Sequence, residues 1–293
     1  MADERVSKSG TPPRSGQPLP FTRHDLPIGV FDSGVGGLTV LRALREHLPE
    51  ESFTYLGDTA RLPYGTKSGD SVLRYSIQAT QFLVGRGIKY LVIACNTASS
   101  VAVDELRRRF APIPVIGVIE PGATAGCAAS QSGRIAVIAT EGTVQGGAYQ
   151  RAIAQIRPDA CVVAKACSLF VSLAEEGWTQ GPIVEAVVHR YLGELFLERS
   201  DIDTLLLGCT HFPVLQEALR NVVNSSVTIV DSAQTTALAL ATDLAQRGLN
   251  TKQSLARISL LATDSPQRFA RVGSRFLGES FTSEQVELVD LAP

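Results

Sequence analysis

The sequence predicts a mixed α/β protein made of two related halves, each with a mostly parallel sheet. Three observations carry that expectation. Short aliphatic runs alternate along the chain with segments of helical periodicity, the pattern of consecutive βαβ units. The runs are continuously apolar rather than alternating, as in strands buried on both faces. The halves also echo each other: IGVFDSGVGG (28–37) and IAVIATEGTVQGG (135–147) both run from an apolar strand through a polar turn to paired glycines, and each precedes a later strand that ends in a cysteine, YLVIAC (90–95) and TLLLGC (204–209).

Taken in order, residues 1–26 carry Lys8, Arg14 and scattered Pro, Ser and Gly without periodicity and read as a mobile tail, with order expected from Ile28. IGVF (28–31) is the first strand, and the glycines after it lead into a helix whose Leu38, Leu41, Leu44 and Leu48 fall near one face. FTYLG (53–57), YLVIA (90–94) and VIGVI (115–119) supply the remaining strands of the first half. RIAVIA (134–139), ACVVAKA (160–166), TLLLG (204–208) and VTIV (227–230) supply those of the second. TALALATDLAQRG (236–248) is an amphipathic helix closed by a C-cap glycine, and the segment from Ser232 is expected to return to the first domain. The reading is of two pseudo-symmetric, Rossmann-like domains, 27–119 with 232–293 and 120–231, and a ligand site between them.

Bulk properties narrow the function. At 293 residues, 44% hydrophobic and 19% charged, the chain has the composition of a globular protein with an extensive core. No stretch approaches the ~20 apolar residues of a spanning helix. A formal charge of −2 offers no general attraction for nucleic acid or an anionic membrane. Five cysteines, an odd number, with no apolar signal segment after Met1, point to free thiols in a reducing cytoplasm.

Cys95 and Cys209 stand where open α/β sheets bind ligands, just beyond the carboxyl ends of strands. They differ from Cys127, Cys161 and Cys167, which read as inert small hydrophobes, because Asn96 and Thr97 follow one and Thr210 and His211 the other. Two thiols at equivalent positions of two half-chains suit the transfer of a proton from one face of a carbon to the other. Asp32, Ser33 and Gly34, Gly36 and Gly37 form a polar strand-to-helix turn able to offer N–H groups to an anion. That turn lacks the G-x-G-x-x-G spacing of a dinucleotide site and the Lys of a P-loop. Cys209 and His211 alone are too few for a zinc site, although they could form a thiol hydrolase pair. Pro63-Tyr64-Gly65 is a rigid turn presenting a phenol, and Glu175 sits in a Glu-Glu pair that a surface helix could equally carry.

Four motifs together resemble a known family. FDSGVGGLTV, GDTARLPYG, IACNTAS and LLLGCTHFP, in this order and spacing, are similar to those of the glutamate racemases, within the aspartate/glutamate racemase family, and the likeness spans nearly all of the chain from Ile28. The resemblance implies two α/β domains with the site between them, interconversion of L- and D-glutamate without a cofactor or metal, and supply of D-glutamate for peptidoglycan. It implies Cys95 and Cys209 as the acid/base thiols, acting on D- and L-glutamate respectively, with Asp32 as partner of Cys95 and His211 as partner of Cys209. Ser33, Tyr64, Gly65, Asn96, Thr97 and Thr210 match substrate-binding positions, as do Asp32 and His211. Glu175 matches a family carboxylate, although its segment departs from the usual PLVExG, with Ser168 and Ser172 where proline is common and Glu176 adjacent. The expected partners are glutamate and a second copy of the chain in a homodimer.

The chemistry is consistent with the residues on their own terms. Inverting an α-carbon needs an acid and a base on opposite faces and fixed donors for the developing carbanion. A pyridoxal enzyme would need a Schiff-base lysine, and Lys67, Lys89 and Lys165 lie in no recognisable cofactor motif. A racemase of another amino acid such as aspartate, a Cys-His hydrolase, and a binding protein on the same scaffold are the competing readings.

Overall fold

The computed structural model describes residues 23–251 and 256–291. The expected N-terminal tail lies outside the described residues as far as residue 22. Its last part departs from the expectation, since Arg23–Asp25 forms a 3₁₀ turn and the His24 carbonyl accepts a hydrogen bond from the Lys89 ammonium at 2.8 Å. That ammonium is buried and ion-paired to Glu51, which ties the turn to the body of the protein.

Ten strands form two sheets: β1 (Ile28–Asp32), β2 (Phe53–Gly57), β3 (Tyr90–Ile93), β4 (Val115–Gly117), β5 (Arg134–Ala139), β6 (Cys161–Ala166), β7 (Thr204–Gly208), β8 (Thr228–Asp231), β9 (Ile258–Ala262) and β10 (Val286–Leu288). Every pairing is parallel. The first sheet runs β10-β9-β2-β1-β3-β4 and the second β6-β5-β7-β8. The order β2-β1-β3-β4 is thus repeated position for position by β6-β5-β7-β8, which makes β3 and β7, the strands leading to Cys95 and Cys209, equivalents.

The apolar runs are continuous because each sheet is covered on both faces. In the first sheet Ile28, Val30, Tyr90 and Val92 enter one core, while Phe31, Leu91 and Ile93 enter another on the opposite side. In the second, Ala136, Ile138, Leu205 and Leu207 face one core and Ile135, Val137 and Leu206 the other. Helix Leu38–His47 buries Leu38, Leu41 and Leu44 on the first sheet, and helix Ser232–Arg247 adds Ala233, Ala237, Leu240 and Leu244 to the same core. That second helix is capped by Asp231, whose carboxylate accepts the Ala233 N–H, and closed by Gly248 at φ 62°. Only glycine takes up such a left-handed conformation without strain.

Two differences from the sequence reading stand out. The fourth strand stops at Gly117, and Ile119 opens helix Ile119–Ala129 instead of ending the strand. β9 and β10 extend the first sheet beyond β2, two strands more than the sequence pattern predicts. β10 has only three residues, too few for a pattern, whereas ISLLA (258–262) has an apolar character like that of the other runs.

Candidate active site

In a parallel sheet all carboxyl ends lie on one edge, so the turns after β1, β3, β5 and β7 crowd together. Between them opens a cleft of about 270 Å³, below the ~300–1,000 Å³ of pockets for drug-sized ligands and suited to something the size of an amino acid. Cys95, Cys209, Ser33, Tyr64, Gly65, Asn96, Thr97, Thr210 and His211 line it. Asp32 and Glu175 do not; each stands behind a lining residue. Cys127, Cys161 and Cys167 lie elsewhere, and so do Lys67, Lys89 and Lys165. Among the described residues no group of three or more His, Cys, Asp or Glu is arranged to hold a metal ion.

Cys95 is the N-cap of helix Asn96–Arg109, and its sulfur accepts the Ala98 N–H at 3.4 Å. Burial pushes the thiol up to about 12, the neighbouring Asp32 carboxylate pushes in the same direction, and the Ser33 hydroxyl and Ala98 N–H pull against them. Asp32 is itself buried, which raises its own pKa, while the His211 charge and the N–H groups of Gly37, Gly34 and Ser33 restrain the rise. Its Oδ2 accepts the Gly34 N–H at 2.9 Å, and its Oδ1 is buried without a partner. The neighbouring Asn96 spends its Oδ1 on the Tyr149 hydroxyl at 2.7 Å. Its Nδ2 is left buried and unpaired at the cleft, a free donor waiting for an acceptor.

Cys209 directly follows β7 and leads into a 3₁₀ turn, Phe212–Leu215, so no helix begins at it. Side chains take that place. His211 Nδ1 lies 3.9 Å from the Cys209 sulfur, and His211 Nε2 lies 3.2 Å from Glu175 Oε1. Burial lowers the imidazole pKa, but Cys209 and Glu175 outweigh it and hold the ring up to about 10. Burial likewise works against the Glu175 carboxylate, and His211 together with Arg268 brings it down to about 2. Glu176 makes no such contact, which separates the two members of the Glu-Glu pair.

The halves meet closely here. A Cβ on Gly36 would stand 2.4 Å from the His211 ring, so the turn after β1 can approach the second half only because that residue is glycine. Thr39 Oγ1 donates to the Thr210 carbonyl at 3.0 Å, and Thr97 and Thr140 join through their hydroxyls at 3.0 Å.

Residues 37–240 match the model of the Asp/Glu/Hydantoin racemase family. The chain belongs to this family. A glutamate racemase of Geobacter metallireducens is 48% identical over 254 residues, covering 86% of this chain and 92% of the relative. Among solved structures, a glutamate racemase isoform from Bacillus anthracis superposes with a TM-score of 0.85 at 37% identity, covering 91% of this chain and 98% of the other. A Francisella tularensis glutamate racemase in complex with D-glutamate gives 0.84 at 36%, covering 92% and 98%.

In this member of the family the cleft also includes residues to which the sequence reading gives no binding role. Thr140, Ser168, Val171 and Ser172 line the second half of the cleft; Thr140 follows β5 as Ser33 follows β1, a correspondence that the internal repeat itself could have pointed to. Tyr64 lines the cleft with its ring, but its hydroxyl is not free to meet a ligand, since it donates to Asp58 at 2.5 Å. Asp58 also holds Arg61 at 2.7 Å and accepts from Thr263 at 3.0 Å. Arg268, which reaches Glu175 Oε2 at 2.6 Å, gave no signal either, because it sits in helix Pro266–Leu277, far away along the chain.

Proposed function

We propose that the chain interconverts L- and D-glutamate without a cofactor, with Cys95 and Cys209 exchanging the roles of base and acid, and that it supplies D-glutamate for peptidoglycan in the cytoplasm. The observation that carries this reading is the pair of thiols after equivalent strands of a repeated sheet order, both lining one cleft. Relatives such as the Geobacter metallireducens glutamate racemase, 48% identical, support the substrate. The reading keeps the two domains at 27–119 with 232–293 and at 120–231, and a homodimer as the assembly.

In the D-to-L direction the Cys95 thiolate removes the α-proton and the Cys209 thiol delivers one to the opposite face; in the reverse direction the roles swap. A thiol whose pKa is raised gives a strongly basic thiolate, which suits abstraction of a weakly acidic α-proton. Asp32 serves that end for Cys95, and the ammonium of bound substrate offsets the charge. His211, held as a cation, supports the thiolate of Cys209. Asn96 Nδ2 and the hydroxyls of Ser33, Thr97, Thr140 and Thr210 are donors for the two carboxylates and for charge developing at the carbanion.

The test is incubation of purified, dialysed protein with L-glutamate in deuterated water. D-Glutamate carrying deuterium at the α-carbon is expected, undiminished by chelators. No deuteration, activity that needs added pyridoxal phosphate, or a trapped thioester on Cys209 would overturn the reading.

A further inference from the structure

Helix Pro266–Leu277 packs on the first sheet, burying Phe269 and Phe276 in the core there, yet its polar face addresses the Cys209 half of the cleft. It makes three contacts with one unit. Arg268 Nη2 donates to Glu175 Oε2 at 2.6 Å, Arg275 Nη1 donates to the Glu175 carbonyl at 3.0 Å, and the Phe276 ring packs edge-on against His211 at 5.0 Å between centroids. Glu175 has one carboxylate oxygen on His211 and the other on Arg268. The result is a continuous row of contacts running from Arg268 through Glu175 and His211 to the Cys209 sulfur.

We infer that Arg268 is a positioning residue for the Cys209 half of the site: by holding Glu175 Oε2 it turns Oε1 toward His211 Nε2, and so aims His211 Nδ1 at the thiol. The inference rests on the two-thiol reading above. A charge-assisted hydrogen bond to each oxygen fixes the carboxylate plane, and the hydrogen bond at one imidazole nitrogen decides which nitrogen serves the other side. With Arg268 gone, Oε2 loses its partner and Glu175 is free to rotate. The groups facing His211 are Cys209 on its own loop, Glu175, Asp32 from β1 and, behind Glu175, Arg268 and Arg275. Removing Arg268 also removes a positive charge, and that alone would favour the imidazolium; a purely electrostatic neighbour would therefore leave the Cys209 half no worse.

The equilibrium constant of a racemisation is one, so kcat/KM must fall equally in both directions, and a defect confined to Cys209 appears only in isotope effects. Arg268→Gln is expected to lower kcat/KM about tenfold, the low end of the loss when an outer hydrogen-bond partner of a metal-bound histidine is removed. Proton transfer at Cys209 then becomes more rate-limiting. The primary isotope effect with L-[2-²H]glutamate should rise and that with D-[2-²H]glutamate should fall, with Arg268→Lys part-way back to wild type and Arg271→Gln on the same helix unchanged. In a Glu175→Gln background, Arg268→Gln should add nothing. Unchanged isotope effects, or additive losses in the double variant, overturn the role of Arg268 while leaving racemisation intact. A wild-type protein that does not racemise glutamate, or a Cys95→Ser variant that does so normally, overturns the two-thiol reading and this inference with it.

Discussion

The two thiols stand after equivalent strands of the same sheet order, yet their surroundings share almost nothing. Cys95 stands at a helix N-terminus: it caps the helix and accepts an N–H, and the Asp32 carboxylate and Ser33 hydroxyl of the turn after β1 act on it as well. Cys209 is served by side chains: His211, then Glu175, then Arg268. The difference begins in the local chain. Asn96 starts a 14-residue helix at once, whereas Pro213, without an N–H, helps turn the chain after Cys209 into a short 3₁₀ segment. Where the backbone offers no helix terminus, a cationic side chain, His211, takes its place and is held by groups from other elements. A repeated fold thus places two sulfurs equivalently without fixing how each is tuned.

The largest effect should come from the sulfurs. Cys95→Ser and Cys209→Ser are each expected to lose racemisation by about 10⁴-fold, the upper end for a positioned acid or base, while Cys127→Ser, Cys161→Ser and Cys167→Ser stay close to wild type in the same chiral assay. If one of the two cleft variants kept near-normal activity, the equivalence of the two stations would be broken.

A smaller loss should expose their difference. Asp32→Asn and His211→Asn are each expected to slow turnover by about 10²-fold, with opposite signatures in α-hydrogen exchange from pure enantiomers. Asp32→Asn should suppress removal of the proton from D-glutamate, and His211→Asn removal from L-glutamate. Identical exchange behaviour from both enantiomers would assign these side chains to binding or to the fold.

The smallest effect concerns stability against pH. His211, raised from 6.5 to about 10, stabilises the folded state fully below about 6.5, and that contribution is lost as pH rises through about 10. Glu175, lowered from 4.5 to about 2, contributes fully above about 4.5 and loses the effect as pH falls through about 2. Both act together between about pH 4.5 and 6.5. Thermal melts of His211→Asn should therefore fall furthest below wild type in that window and converge with it above pH 10. Glu175→Gln should converge instead below pH 2. A constant offset across the whole range would mean that the ring and carboxylate contribute packing rather than charge.

Much of the cleft was legible because its residues follow strands, and buried strands announce themselves. Cys95, Asn96 and Thr97 come directly after YLVIA, and Cys209, Thr210 and His211 after TLLLG. Glu175 was harder to place, since adjacent glutamates on a helix look alike until one of them meets His211. Asp58 and Tyr149 were not readable as supports, because what each does depends on Tyr64 or Asn96 arriving from another element.

The sequence by itself determined the alternation of strands and helices, the internal repeat, the two thiols at strand ends and the glycine-rich turn after β1. These are consequences of local periodicity and of which residues directly follow each strand. Only the tertiary structure decided that β9 pairs with β2 and so extends the first sheet, that Gly36 lets the turn after β1 approach His211, that the Tyr64 hydroxyl is spent on Asp58, and that Arg268 completes the row behind Cys209. Hydrogen bonds and ion pairs between residues 36 and 93 positions apart, as at His211–Glu175 and Glu175–Arg268, leave no periodic trace in a chain. They exist only once packing has brought their elements together.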